Sequence, residues 1–458
     1  MSAEGLRASE EKMAAAGVPD VAIATFRHYY RQLEAGETGM VPEDSIAPVP
    51  SLPSAEDLPD PSDAAQVLDQ AVAIKLNGGL GTSMGMTRAK SLLPVKDGLT
   101  FLDVIVRQVL DLRARHGARL PLVLMNSFYT REDSLAALAG HDGIEADVPL
   151  DFVQNKEPKL LVDDLMPVSW PADPDLEWCP PGHGDLYTAL VTSGMLDSLL
   201  GAGYRYAFVS NSDNLGAVLD PRILAWFAGQ RIPFLMEVAD RTEADRKGGH
   251  LAARASDGQL VLREIAQTPE SDLDAFQDVE RHRFFNTNTL WVDLRALGDV
   301  LAARDNVLGL PMIVNRKTVD PGDSSSPAVF QLETAMGSAI SVFEGAAALR
   351  VARERFAPVK TTNDLLALRS DCYELTGDAR IVEVPGLDGG PPLVDLDPAY
   401  YKLLDDFEAR FPAGPPSLVD CRRLRVRGDV TFGAGVVARG DVDLVGPRRV
   451  EDGAILGE

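Results

Sequence analysis

Apolar and polar positions along this chain follow three different rhythms. In residues 1–36, Val21, Ala24, Thr25, His28 and Tyr29 recur at helix-face spacing, which predicts a helical N-terminal segment. Residues 37–66 hold six prolines among Ser, Asp and Glu. Proline removes a backbone donor and blocks helix, so this stretch reads as an extended connector. From about residue 71, short apolar runs alternate with amphipathic segments. VAIKL (72–76), LPLVLMN (120–126), YRYAFVSN (204–211) and IPFLMEV (232–238) read as buried strands. The helix-like stretch 101–112 opens with Thr100 and Asp103 at capping-box spacing. Strand–helix alternation on this scale predicts an α/β domain with a largely parallel sheet, in which ligands bind beyond the carboxyl ends of the strands.

The last 40 residues change rhythm again. Leu424, Val430, Val436 and Val442 recur every six positions, as do Val426, Phe432, Ala438 and Leu444, with glycines between them. A six-residue apolar period with turn glycines favours short β-helix coils over a hairpin, which would also satisfy the alternation. The expected division is an N-terminal helical segment and connector (1–70), a catalytic α/β domain (71–415) and a C-terminal coil region (416–458).

Charge narrows the ligand class. The 458 residues carry 44 Lys and Arg against 69 Asp and Glu, a formal charge of −25. Such a surface repels polyanions and argues against nucleic acid or an anionic membrane as partner. A small phosphorylated ligand needs only a few cations gathered in one pocket. Only 10 of the basic residues are lysines, so a lysine inside an unusual motif stands out. The three cysteines form no CxxC pair and fit a reducing compartment. With no signal-type segment at the N-terminus and no run fit to span a bilayer, a cytoplasmic protein is expected.

The most informative stretch follows the first strand: Leu76-Asn77-Gly78-Gly79-Leu80-Gly81-Thr82-Ser83-Met84-Gly85. Glycines after a strand let the backbone approach an anion and point amides at it. The stretch lacks the GK[ST] ending of a Walker loop. A Gly79-x-Gly81-x-x-x-Gly85 spacing survives, as in some NADP sites, and a plain turn packing strand on helix remains an alternative. Lys90 follows closely enough to reach phosphates held by such a loop. Further on, an apolar strand ends in Asn211-Ser212-Asp213-Asn214. A carboxylate there is placed for a hard cation such as Mg²⁺, though an Asx-rich turn uses the same residues.

LNGGLGTSMG followed by KSLLPV resembles the eukaryotic-type UTP–glucose-1-phosphate uridylyltransferases, also called UDP-glucose pyrophosphorylases. The chain departs from that family at Met86-Thr87-Arg88-Ala89, where a Lys-Gly-Pro triplet is usual. The resemblance continues through Phe152–Lys156, Pro180–Asp185 (PPGHGD), Ser210–Ala217 (SN-x-DNLGA), Arg246–Gly249, Phe285–Asn288, Gln331–Ala335 (QLETA) and Arg355–Thr362 (RF-x-PVKTT). It implies that Leu76, Asn77, Gly78, Gly79, Gln154, Gly182 and Asn211 bind the nucleotide, with Gln154 and Gly182 reading uracil. It implies that His183, Asn211, Asn286, Asn288 and Lys247 bind the sugar phosphate. The family often has a third Asn where this chain has Thr289. Lys90 and Lys360 would be the catalytic cations and Asp213 the Mg²⁺ ligand. Pro358 stiffens the approach to Lys360, and Thr362 is placed to cap a helix starting near Asn363. For Glu333 in QLETA, a bracing role in the fold competes with a functional one.

What the resemblance implies is a Rossmann-like nucleotidyltransferase domain with a mixed, mainly parallel sheet, followed by a short C-terminal left-handed β-helix. The implied substrates are UTP and glucose 1-phosphate, the products UDP-glucose and pyrophosphate, and self-association through the C-terminal region is expected. Three rivals stand beside it: a uridylyltransferase for another hexose 1-phosphate, an NADP-dependent dehydrogenase, and a non-catalytic sugar-nucleotide sensor.

Overall fold

The protein was analysed as a computed structural model that describes residues 2–387 and 390–457. Its N-terminal segment forms two helices, α1 (Ser2–Ala15) and α2 (Asp20–Glu34), separated at Gly17–Pro19. The buried face of α2 is Ala22, Ile23, Phe26, Tyr29 and Tyr30. It is rotated from the face expected at Val21, Ala24, Thr25 and His28, because the bulky rings and Ile23 take the interior and leave smaller or polar side chains at its edge. These side chains pack on Leu160, Met312 and Leu332. The proline-rich connector is extended, as expected, but it is also pinned. Its strand β1 (Ile46–Pro48) joins the central sheet, and Glu43 accepts hydrogen bonds from the buried Arg263 and His282.

The central sheet has ten strands. After β1 come β2 (Ala71–Asn77), β3 (Leu122–Asn126), β4 (Asp151–Val153), β5 (Tyr206–Asn211), β6 (Phe234–Asp240), β7 (His250–Arg254), β8 (Leu260–Arg263), β9 (Phe284–Asp293) and β10 (Ala347–Arg350). The spatial order is β1-β7-β9-β5-β2-β3-β4, with β6 between β9 and β10 and β8 beside β7. The run β5-β2-β3-β4 is parallel throughout. Seven strands, β2 to β7 and β10, point one way, and β1, β8 and β9 run against them. The fold is therefore mixed α/β with a mainly parallel sheet. Strands β2, β3 and β5 bury both faces, which is why they read as continuous apolar runs rather than alternating ones. The helix α3 (Phe101–His116) carries the expected capping box: Asp103 N donates to Thr100 Oγ1 at 3.1 Å, and Thr100 N donates to Asp103 Oδ2 at 2.8 Å.

Past the sheet lie β11 (Leu393–Leu396), β12 (Ser417–Arg427), β13 (Val430–Phe432), β14 (Val437–Val445), β15 (Arg448–Val450) and β16 (Ile455–Leu456). Their pairings are all parallel, which excludes a hairpin. Leu424 faces Val442 and Val430 faces Arg448, each 18 positions further on. That offset is three of the six-residue steps seen in the sequence. All eight residues of the two apolar columns are buried. They share one core with α3 and with the side chains of Tyr401, Phe407 and Phe411.

Candidate functional site

Four parallel strands deliver their carboxyl ends to one open cleft of about 350 Å³. Leu76, Gly78 and Gly79 come from the end of β2, Met125 from β3, Gln154 from β4, and Asn211, Ser212 and Asp213 from β5. The far wall is Pro180, Gly182 and His183, and Lys90 closes the remaining side. Nine of the residues singled out in the sequence thus line a single cavity. Gly78 lies directly against Gln154: a β-carbon on it would come within 2.9 Å of Oε1.

Asn77 belongs to the same strand end, but its side chain faces away. It donates to Asn126 Oδ1 (2.8 Å) and Ser134 Oγ (2.7 Å) and accepts from Ser212 Oγ (3.3 Å). With both donors used and 2% of its surface exposed, Asn77 ties three strand ends together.

The glycine segment does not open an α-helix. Thr82–Met84 is a 3-10 turn flanked by Gly81 and Gly85, both left-handed. A dinucleotide site relies on a helix N-terminus directed at the pyrophosphate, so the Gly79–Gly81–Gly85 spacing loses its dehydrogenase meaning here. Instead the turn brings Lys90 back. Its backbone N donates to Gly79 O (3.0 Å), and its Nζ donates to Asp213 Oδ2 (2.7 Å). The two charges are largely shielded from solvent.

The PPGHGD loop is zipped onto the QLETA strand, Ala328–Thr334: Thr334 N donates to Pro181 O (2.9 Å) and Gly184 N to Thr334 O (2.8 Å). Gly182 has φ +78°, and a β-carbon there would lie 2.6 Å from Thr334 O, so only glycine fits. His183 Nδ1 accepts from Met336 N at 3.0 Å. Although its ring opens on the cleft, the protein packed around it holds the imidazole well below its usual pKa. The neutral tautomer therefore carries its proton on Nε2, free to donate to a ligand oxygen. Behind the loop, Asp185 accepts from Asn155 N and Asn155 Nδ2, and burial pushes its carboxyl up to about 7. This contact fixes the residue next to Gln154.

A second cluster adjoins Asp213. Between β6 and β9 the register slips, with Glu237 facing Thr289 and Val238 facing Asn286, so Thr287 and Asn288 form a bulge. Asn288 takes φ +55°. Its N donates to Asn286 Oδ1, and Asn286 Nδ2 donates to Asn288 Oδ1, both at 3.0 Å. Thr289, by contrast, is fully buried within the strand. Glu264, immediately after β8, accepts a hydrogen bond from Asn286 and feels the charge of Lys360; burial pushes its carboxyl up to about 7. Lys360 is exposed, with Nζ 5.9 Å from the Phe356 ring, and Phe356 packs edge-on to Phe285. Lys247 is also exposed. Its loop is anchored by the bidentate pair of Arg353 with Asp245 (2.7 and 2.9 Å).

The helix after Lys360 is capped by Thr361, not by Thr362 as expected: the helix starts one residue earlier, at Thr362, and Asp364 completes a capping box with Thr361. Asp364 Oδ2 also accepts from the backbone N of Lys360 at 2.8 Å, so the cap fixes the lysine's own peptide.

As a cation site, the cleft offers one hard carboxylate, Asp213, at a strand end. No group of three His, Cys, Asp or Glu side chains gathers among the described residues. That donor set fits an ion such as Mg²⁺, which keeps most of its shell for phosphates and water. Glu264 and Met125 were not anticipated from the sequence. Glu264 carried a readable signal, a carboxylate directly after an apolar strand.

The comparisons agree with this geometry. Residues 23–439 match the family model for UTP–glucose-1-phosphate uridylyltransferase. The enzyme of that name from Solanum tuberosum is 40% identical over 423 residues, covering 91% of this chain and 84% of that one. The one from Hordeum vulgare is 41% identical over 424 residues, covering 91% and 85%. A variant of the Leishmania major UDP-glucose pyrophosphorylase, solved in complex with UDP-glucose, superposes with TM-score 0.92 at 46% identity, covering 99% of this chain and 98% of that one. The Trypanosoma brucei UDP-glucose phosphorylase gives 0.90 at 47% identity, with the same coverage. Sheet, cleft and sequence lead to one assignment: the chain belongs to the UTP–glucose-1-phosphate uridylyltransferase family.

Proposed function

We propose that the protein transfers the uridylyl group of UTP to glucose 1-phosphate, reversibly forming UDP-glucose and pyrophosphate. The observation that carries this reading is the cleft in which Gly78, Gly79, Lys90, Gln154, Gly182, His183, Asn211 and Asp213 meet. Gln154 offers uracil both a donor and an acceptor, and the bare backbone at Gly182 lets the base approach. The glycine-loop backbone, Leu76 to Gly79, and Lys90 receive the phosphates. His183 Nε2 and Asn211 take the sugar phosphate, and Asn286, Asn288, Glu264 and Lys247 take the sugar.

A phosphate oxygen of the sugar phosphate attacks the α-phosphorus of UTP. The bond from that phosphorus to the bridging oxygen breaks, and the electron pair leaves on pyrophosphate. The nucleophile is already an anion, so no protein base is needed. The work left to the protein is to align two anions and offset their repulsion. Lys360 stabilises the charge of the α-phosphate, and Lys90 that of the phosphates beside it. Asp213 would hold Mg²⁺, which, when bound, adds positive charge at the phosphate oxygens. We further place the domain boundaries at 70/71 and 415/416, take the C-terminal stack to be a left-handed β-helix, and assign any self-association to it, where Ile455 on the outer strand is exposed.

The test is pyrophosphate release over a panel of nucleotides and sugar phosphates, with and without divalent cation. UTP with glucose 1-phosphate should be the fastest pair by a wide margin and should need the cation. Equal rates with ATP would overturn the base assignment, and UDP-glucose binding without turnover would make the chain a sensor.

A further inference from the structure

One lysine is buried beneath the cleft, and none of the steps above uses it. Lys75 lies on β2, is 3% exposed, and sits directly across from Ser210 in the sheet. Its Nζ donates to Ser210 Oγ at 2.6 Å and to Ala217 O at 2.8 Å. Those two acceptors stand on either side of the segment 211–216, which carries Asn211 and Asp213. One ammonium therefore staples both ends of that loop to the strand that feeds the glycine segment.

The neighbouring loop is held from the same interior. Arg355 makes a bidentate pair with Glu237, Nε to Oε2 and Nη2 to Oε1, both at 2.7 Å. Glu237 is fully buried and also accepts from Trp291 Nε1 at 2.8 Å. The two loops then lock together. Asn214 Nδ2 donates to Arg355 O (3.1 Å), Ala357 N to Asn214 Oδ1 (3.0 Å), and Val359 N to Asp213 O (3.2 Å). Gly216 is where they touch: a β-carbon there would lie 2.2 Å from Glu354 O. A short, continuous path of hydrogen bonds thus runs from Lys75 through the Asp213 loop to the peptide next to Lys360.

A buried ammonium is a costly way to hold a loop. Burial, and the charge of Arg355, bring Lys75 down to about 7 from its usual range, with only Glu237 opposing. An apolar chain of similar length would remove that cost but would leave Ser210 Oγ and Ala217 O without a donor. Retaining the charge makes sense if its hydrogen bonds do something other than stabilise the fold.

We propose that Lys75, backed by the Glu237–Arg355 pair, is a positioning residue that holds the Asp213 loop in register with the Lys360 loop. This rests on the uridylyl-transfer reading above. A displacement of about 1 Å in such a site costs on the order of a hundredfold in rate, while ground-state binding through the glycine segment and Gln154 is left in place.

The test is Lys75→Met, assayed well below its melting temperature. The expected result, in a variant that still folds, is kcat lowered roughly tenfold to a hundredfold with KM for UTP within about threefold. A residue that only braced the fold would show a lower melting temperature with normal kcat. That outcome, or a raised KM with kcat preserved, overturns the proposal. If Lys75→Met does not fold, the double variant Glu237→Gln with Arg355→Met removes both charges of the pair together and should show the same split between kcat and KM. Unimpaired kcat in that folded variant equally overturns the proposal. A wild-type chain without pyrophosphate release would sink the functional reading and this assignment with it. An active wild type beside an unimpaired Lys75→Met sinks this assignment alone.

Discussion

The nucleotide cleft and the cluster around Lys360 are built by different means. The cleft is a product of topology. Four parallel strands end side by side, so Gly78, Gln154 and Asp213 converge as soon as the sheet forms. The Lys360 cluster is a product of packing. Its parts come from a β-bulge, a glycine-containing loop, the end of an edge hairpin and a connection more than 100 residues beyond Asp213. They meet through Arg353–Asp245, Arg355–Glu237 and the edge-on pair Phe285–Phe356. The first region offers a preformed surface of backbone and amide groups. The second offers charges whose placement depends on two ion pairs, of which Arg355–Glu237 is buried. On the proposed reading, base recognition by Gln154 and Gly182 belongs to the first region and the charge of Lys360 to the second, so these two contributions can be perturbed separately.

The largest effect should come from the packed region. Lys360→Ala should lower turnover by roughly two to three orders of magnitude, as for loss of a transition-state donor, with UTP affinity changed only a few-fold. Steady-state rates combined with an independent UTP titration check this, and turnover within a few-fold of wild type would make the lysine a surface group. The reverse pattern is expected in the cleft. Gln154→Ala should reduce the preference for UTP over CTP by about tenfold to a hundredfold in kcat/KM, with a smaller loss in kcat, read from paired assays on the two nucleotides. Glu264→Gln should raise KM for glucose 1-phosphate by roughly tenfold and leave UTP binding unchanged; an effect on UTP instead would move Glu264 to the nucleotide side.

The smallest effect is on stability. Asp185 is held at about 7 in the fold, far above its ordinary value of 3.8. A carboxyl whose folded pKa is raised binds more protons folded than unfolded between pH 4 and 7, so its contribution is lost as pH rises through that window. Asp185→Asn removes the titration. The melting temperature of the variant relative to wild type should therefore climb from pH 4 to pH 8 and then level off. A constant difference would show that Asp185 ionises normally and braces Asn155 as a full carboxylate.

The same contrast explains what could be read from the chain. The cleft was partly legible because some of its residues follow apolar runs, Gly78 after VAIKL and Asp213 after YRYAFVSN, whereas Gln154, Gly182 and His183 were legible only through family resemblance. The six-residue columns at the C-terminus gave the 18-position pairing for the same reason, that side chains of one period share one face. Lys360 was legible only through family resemblance, since no local pattern links it to Asp213. The orientation of the Asn77 side chain was not legible, because sequence order does not say which way a strand-end side chain turns. Its neighbours Asn126 and Ser134 claim it from strands and helices that are remote in the chain. The face of α2 was misplaced because helical spacing allows several faces, and its partners decide among them. Those partners, Leu160, Met312 and Leu332, lie far downstream.

That last contact has a consequence for how the chain is made. The apolar face of α2, with Phe26 and Tyr30, leaves the ribosome well before Leu332, which helps cover it and follows Tyr30 by 302 positions. At typical synthesis rates the interval is roughly 15–60 s. Throughout that time the aromatic face of α2 stands without its full native cover. During synthesis that face is a natural target for a chaperone that binds exposed apolar helix, and α2 becomes one of the last parts of the fold to be sealed.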